Sequence, residues 1–316
     1  MEAIPGTPGS SEPYDRPRAT QEEGKEGVGV IGAVGLVLHP GRRCAPVVDT
    51  ITGWARERGV TVLGLDHEVV ALECHGVAGT DAATLGARAD VLISLGGDGT
   101  MLRAMRLAYD ARTPVLGVNL GRLGFLAEVD VPELAEALSA IDENRFTVEA
   151  RSGLLASSAG CSAVAFNDIA LVRVPGHGMS NVQLHVDGQP FVRYSADAVV
   201  VATPTGSTAY SFSAGGPIVS PRAEGLLVTP VAPHSAFNRA LFLSTGEKLV
   251  LEVLRSSGEL AVEADGRLIA HTHPGDLIDT TVVSAAARVI RLGRTTFYQR
   301  AQRRLRLTNP LEADAD

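Results

Sequence analysis

Val91-Leu92-Ile93-Ser94-Leu95-Gly96-Gly97-Asp98-Gly99-Thr100-Met101-Leu102-Arg103-Ala104 is the stretch that decides the fold. Its apolar run, Val91 to Leu95, reads as a buried strand, the glycines as a turn, and the pattern from Met101 to Leu107 as a helix. Amide groups exposed at such a turn attract anions, phosphates above all. Asp98 places a carboxylate where a phosphate would sit. That charge needs a metal ion or a hydroxyl proton as its partner, so the stretch points to chemistry as well as binding.

The same alternation extends in both directions. Upstream, Val34 to Leu38 reads as a strand stopped by His39-Pro40-Gly41. Ala45 to Arg58 reads as a helix closed by Gly59, and Val60 to Leu63 as a second strand. Downstream, Val115 to Val118 is a further strand, and Pro132 to Asp142 a helix with proline in its first turn. Short apolar strands alternating with helices predict an α/β domain, residues 28–145, built on a parallel sheet covered on both faces. After Phe146 the period shortens. Val182 to Val186, turning at Asp187-Gly188 into Phe191 to Tyr194, is a hairpin pattern. Lys248 to Val253 alternates, as does Glu259 to Glu263 before Asp265-Gly266. Residues 146–307 are therefore expected to form an all-β, sandwich-like domain without a convincing long helix. Residues 1–27, rich in Pro, Gly, Ser and Glu, read as a disordered tail, and 308–316 as an acidic one.

Composition narrows the function. The net charge of −8 weighs against nucleic acid and anionic membranes as partners. No apolar run approaches the roughly 18 residues of a membrane span. The three cysteines form no disulfide framework or zinc pattern, which suggests a reducing cytoplasm. Lys25 and Lys248 are the sole lysines, so a Walker-type lysine loop is excluded. Cationic help for a phosphate falls to arginine or to a metal, with Arg103 and Arg122 as candidates.

Gly27-x-Gly29-x-x-Gly32 matches a dinucleotide fingerprint by letter but precedes its strand, so it reads as chance. Asn119-Leu120-Gly121-Arg122-Leu123-Gly124-Phe125-Leu126 is a stronger feature. It follows the strand next to the GGDGT turn, and loops after parallel strands gather on one edge. Thr203 to Pro217 follows the strand Ala198 to Ala202, and its small hydroxyl residues and glycines permit close approach of a ligand. The segment lacks a GxSxG elbow, so Ser207 is not read as a nucleophile. Asn167-Asp168 interrupts an apolar run and must bond something if buried; ribose hydroxyls suit a carboxylate. Asp197 sits likewise before an apolar strand. His271 and His273 share a strand face without a third ligand and read as solvated. No metal-ligating set is assigned.

Together these residues resemble the NAD kinase family, over almost everything from Val34 to Leu307. The resemblance rests on the GGDGT turn, Asn119 through Leu126, Asn167-Asp168, Asp197 and, above all, Thr203 to Tyr210. Pro233-His234, Arg239 and Asp265-Gly266 add to it. It implies a Rossmann-like N-terminal domain, a C-terminal β-sandwich, and a site between them. It implies a homodimer or homotetramer, NAD as acceptor, ATP or inorganic polyphosphate as donor, and a divalent metal, Mg2+, carried with the donor. By the family's pattern Asp98 is the proton acceptor. Gly96, Gly97, Gly99, Thr100, Arg103, Asn119, Phe125, Asn167, Asp168, Asp197, Thr208, Ala209, Tyr210, Ser211 and Ser213 then bind the dinucleotide or nucleotide. Asp168 stands where the family often has Glu, Ala198 where it has Gly, and Arg267 where it has Gln. Two rivals are a diacylglycerol- or sphingosine-type lipid kinase and a non-enzymatic NAD(H)-binding regulator. The first needs an apolar or membrane-facing patch. The second has no use for a carboxylate beside phosphates.

Overall fold

The computed structural model describes residues 31–121, 124–158 and 161–307. The expected N-terminal tail, the acidic C-terminal tail, the fingerprint glycines Gly27 and Gly29, and Arg122 all lie outside the described residues.

The N-terminal half runs β1 (Ala33–Leu38), α1 (Ala45–Arg58), β2 (Thr61–Leu65), α2 (Asp66–Ala71), β3 (Ala78–Thr80), α3 (Ala82–Arg88), β4 (Val91–Gly96), α4 (Asp98–Ala108), β5 (Val115–Asn119), β6 (Val129–Asp130) and α5 (Leu134–Asp142). β4 is buried along its whole length, as its unbroken apolar run requires of a strand covered on both faces. Pro46 starts α1, and Gly59, in the left-handed conformation at φ 68°, ends it. The strands order as β3-β2-β1-β4-β5, all parallel. The direction of winding reverses between β1 and β4, and a sheet of this kind binds ligands beyond the C-terminal ends of the strands at that point. The GGDGT turn stands there. α4 begins at Asp98, ahead of the helical pattern read from Met101 onward, with Gly97 as its N-cap.

The C-terminal half runs β7 (Thr147–Ser158), β8 (Cys161–Ala165), β9 (Asp168–Arg173), β10 (Ser180–Val186), β11 (Gln189–Ala196), β12 (Ala198–Ala202), α6 (Tyr210–Ser213), β13 (Gly225–Val231), β14 (Leu241–Ser244), β15 (Leu249–Val253), β16 (Leu260–Ala264), β17 (Arg267–Thr272), β18 (Leu277–Arg291) and α7 (Phe297–Leu305). One antiparallel sheet has the order β14-β13-β12-β9-β16-β17. It packs on β10, β15 and their neighbours through Leu171, Leu184, Val199, Val201, Val228 and Leu251. Asp187-Gly188 and Asp265-Gly266 turn their hairpins with both residues at positive φ, as two-residue loops between twisted strands demand.

Among the described residues the β-rich half does carry one short α-helix beyond α6. α7 is a nine-residue helix with a capping box, in which Thr296 accepts from the Gln299 N–H and Gln299 accepts from the Thr296 N–H. It follows β18, which begins in the β-rich half beside β15 and ends in the α/β half, where Val289 pairs with Val115 of β5. A register shift between Val283 and Ala287, with Ala285 at φ 50°, bends the strand between these two settings. One mixed sheet of twelve strands thus spans both halves. Among the described residues no helix is long and apolar enough to cross a membrane.

Candidate active site

A cavity of about 330 Å³ opens at the C-terminal end of β4. Asp98, Gly99, Leu102, Phe125 and Leu126 line it from the α/β half, Asn167, Thr205, Thr208 and Ala209 from the β-rich half, and Arg304 and Leu305 from α7. Segments far apart in the chain converge here because β18 and α7 return to the first sheet.

Asp98 is the first residue of α4, and its carboxylate is fixed. Oδ2 accepts from the Phe125 N–H at 2.9 Å and Oδ1 from the Leu126 N–H at 3.0 Å. The helix N-terminus adds a favourable field for the anion. Two glycines make this seat possible. A Cβ on Gly124 would run into Asp98 Oδ1, and one on Gly96 into Thr100 Oγ1. Thr100 is buried inside the helix, against the turn. The Phe125 side chain packs on Phe297 of α7, with ring centroids 6.4 Å apart.

Behind this loop lies a buried ionic network. Arg291 Nη1 donates to the Leu126 carbonyl at 2.8 Å, and Glu149 holds Arg291 and Arg151 at 2.8 and 2.7 Å. Arg151 Nη1 reaches Thr205 Oγ1 at 3.5 Å. Burial pushes the Arg151 guanidinium down to about 10, against the opposing pull of Glu149. Burial alone would raise Glu149, but Arg151 and Arg291 outweigh it and hold the carboxyl below its usual range. Burial likewise lowers Arg300.

The wall from the β-rich half is built on Asn167. Asp265 Oδ1 accepts from the N–H groups of Phe166 and Asn167 at 3.0 and 2.7 Å, and Asp265 Oδ2 pairs with Arg106 of α4 at 2.8 Å. The Asn167 carbonyl accepts from the Thr203 N–H at 2.8 Å. A Cβ on Gly206 would strike that same carbonyl, so the hydroxyl-rich segment can lie against it only through glycine. The segment forms a short 3-10 turn, Thr205–Thr208, followed by α6. Asp168, 4% exposed, lies next to Asn167 at the start of β9. Burial first and then Asp265 push its carboxyl up to about 7, while the Tyr210 backbone N–H opposes them. Burial, with Glu263, Asp168 and Asp197, also raises Tyr210.

Of the residues marked from sequence, the structure gathers Asp98, Gly99, Phe125, Asn167, Thr208 and Ala209 around this one cavity. Gly96, Gly97 and Thr100 form the turn beneath Asp98, and Asp168 and Tyr210 adjoin the wall. Others have structural partners. Arg103 pairs with buried Glu68 and donates to the Leu38 carbonyl, each at 2.5 Å. Asn119 bridges Gly121 and Asp130. Ser211 shares a hydrogen bond with Thr229, and Ser213 donates to the Ala209 carbonyl. Asp197 pairs with Arg173 at 2.6 Å and lies off the cavity wall. His271 pairs with Glu259. Sequence reasoning passed over Arg304, Leu305 and the organising side chain of Asp265. The Thr296-x-x-Gln299 signature could have disclosed the helix that carries the first two.

The cavity suits a transfer between two bound ligands. It holds one fixed carboxylate, neutral hydrogen-bonding groups and close backbone approach. Among the described residues no group of three or more His, Cys, Asp or Glu is placed to cage a metal ion.

Known proteins match both halves of the chain. Residues 78–146 match the ATP-NAD kinase N-terminal domain and residues 166–292 the ATP-NAD kinase C-terminal domain. NAD kinase 1 of Streptomyces avermitilis is 40% identical over 322 aligned residues, covering 90% of this chain and 89% of that protein. The crystal structure of yeast NADH kinase complexed with NADH superposes with a TM-score of 0.78 at 27% identity, covering 89% of each chain. An NAD kinase from Archaeoglobus fulgidus in complex with ATP shares the fold, with a TM-score of 0.67 at 24% identity over 88% of this chain and 100% of that one.

Proposed function

This chain belongs to the NAD kinase family, and from that premise we propose how its own residues carry the reaction and which of them hold the substrates. The activity is phosphorylation of NAD to NADP at the 2′-hydroxyl of the adenosine ribose. Asp98 is the proton acceptor. The 2′-oxygen attacks the terminal phosphorus of the donor, the bond to the leaving phosphate breaks, and the hydroxyl proton passes to the Asp98 carboxylate. Phosphoryl transfer is loose, so this proton leaves late and a carboxylate can serve as its acceptor. The observation that carries the assignment is the grip of the Phe125 and Leu126 amides on Asp98. It fixes both oxygens at the cavity wall and leaves each with a further lone pair for the hydroxyl.

The seat for the dinucleotide comprises Gly99, Phe125, Asn167, Thr208 and Ala209, with Asp168 and Tyr210 behind them. Asn167 supports this reading, since Asp265 and Thr203 fix its backbone while its side chain makes no bond to a described residue. A divalent ion, Mg2+, arriving on ATP or polyphosphate would neutralise phosphate charge; among the described residues of the wall, Asp98 is the one carboxylate that could face it. The three free cysteines suit a cytoplasmic setting. The exposed Phe191 on β11 and Phe242 on β14, both on strands at sheet edges, suit self-association into a dimer or tetramer.

The test is incubation of purified protein with NAD, Mg2+ and either ATP or polyphosphate, with NADP measured. Asp98→Asn keeps the shape but only one of the two amide contacts, because its Nδ2 cannot accept from an N–H; it should still bind NAD and lose about 10²- to 10⁴-fold in turnover. Near-normal turnover in that variant would remove the assigned role.

A further inference from the structure

The transfer gathers several negative charges, yet the cavity wall offers them few counter-charges. Asp98 is itself an anion, and Asn167, Thr205 and Thr208 are neutral. Among the described residues of the wall, Arg304 is the one cation. The neighbouring arginines are engaged elsewhere. Arg103 is held by Glu68, Arg106 by Asp265, and Arg151 and Arg291 by Glu149. Arg300 donates to Thr295. Arg304 is exposed and makes no hydrogen bond or ion pair with any described residue.

Its position is nevertheless fixed. Arg304 stands four residues after Arg300, so the two share a helix face. Arg300 is 2% exposed, and Phe297 on the same side packs on Phe125. The capping box defines where the helix begins. This seating brings Arg304 to the wall that Asp98 also lines.

We propose that Arg304 binds the phosphate chain of the donor, so that α7 supplies the cation that Arg103, tied to Glu68, does not. A guanidinium grips phosphate oxygens with paired N–H groups and recognises the phosphates rather than a base. The proposal rests on the NAD kinase reading. The competing explanation is that Arg304 merely complements the C-terminal dipole of its helix. Arg303 stands in the same last turn and does not line the cavity, so it serves as the control.

The experiment compares Arg304→Gln, Arg304→Lys and Arg303→Gln with the unaltered chain, measuring kcat and the separate KM values for ATP and NAD. Loss of a charge-assisted contact should raise the ATP KM of Arg304→Gln about 10- to 100-fold. Its KM for NAD and its melting temperature should stay in place, and Arg304→Lys should fall between. Arg303→Gln should match the unaltered chain. An unchanged ATP KM in Arg304→Gln, a rise confined to the KM for NAD, or an equal defect in Arg303→Gln would overturn the assignment. The unaltered chain reports on the underlying reading separately. If it forms no NADP, the kinase reading itself fails; if it forms NADP while Arg304→Gln keeps its ATP KM, the arginine's role alone fails.

Discussion

Asp168 has the most pH-sensitive setting at the site. It is 4% exposed and faces Asp265, so its carboxyl titrates at about 7 instead of near the usual 3.8. Between those two values the unfolded chain has released this proton and the native chain retains it. Stability therefore falls as pH rises, by at most about 1.4 kcal/mol per pH unit, and levels off above about pH 7. Asp168→Asn lacks the ionisation. In urea titrations from pH 5 to 8, its stability advantage over the unaltered chain should grow up to pH 7 and then hold constant. Parallel pH profiles would show that the carboxyl ionises freely in the native state. Asn167-Asp168 could be marked in the sequence because a polar pair breaks an apolar run. The raised titration point could not, since it comes from burial first and then from Asp265, which only the pairing of β9 with β16 brings alongside. Arg103 shows the same limit: its charge is plain in the sequence, but its commitment to Glu68 is a tertiary fact.

Between elements, α4 and the β16–β17 turn act as a pair. α4 carries Asp98 at its first residue and Arg106 two turns later, and the turn presents Asp265, whose side chain is 1% exposed, to Arg106. The same carboxylate holds the Phe166 and Asn167 amides. One ion pair thus fixes the spacing between the proposed base and the opposite wall. Arg106→Leu would leave the buried Asp265 charge without its partner, at a cost of about 3–5 kcal/mol. Thermal melting should show that loss directly, whereas Arg106→Lys should recover part of it. A melting temperature unaffected by Arg106→Leu would mean that the pair contributes nothing to the fold. The strand–turn–helix unit of β4 and α4 was legible because its signals are local: an apolar run, glycines, then helical spacing. α7 was not, because its inward face includes Arg300 and Arg304. Two buried or cavity-facing arginines make an amphipathic helix read as a polar tail. The short elements α2, α3 and β3 escaped for lack of length.

Across the whole molecule, β18 is the feature that unites the two halves. It lies along β7 for most of its length and pairs with β15 at one end and β5 at the other. Separate cores flank it, one containing Ile290 and Trp54, the other Ile278. Halves that share a central strand should not unfold independently. Trp54, the sole tryptophan, reports on the α/β half, and far-UV circular dichroism is weighted by the strands of both. Their urea transitions should coincide, as a single cooperative unit requires; two separated midpoints would show that the shared sheet does not couple the halves. The alternation of strand and helix was enough to read both fold classes, but not this continuity, because pairing between β5 and β18 leaves no local mark. The path of the chain also sets an order in time. Of the described elements, α7 leaves the ribosome last, and it brings Leu305 and Arg304 to the cavity. A nascent chain can therefore fold most of its strands, and even seat Asp98 on its two amides, while its site still lacks one wall. Phosphoryl transfer should begin only when translation has carried that helix clear of the exit tunnel.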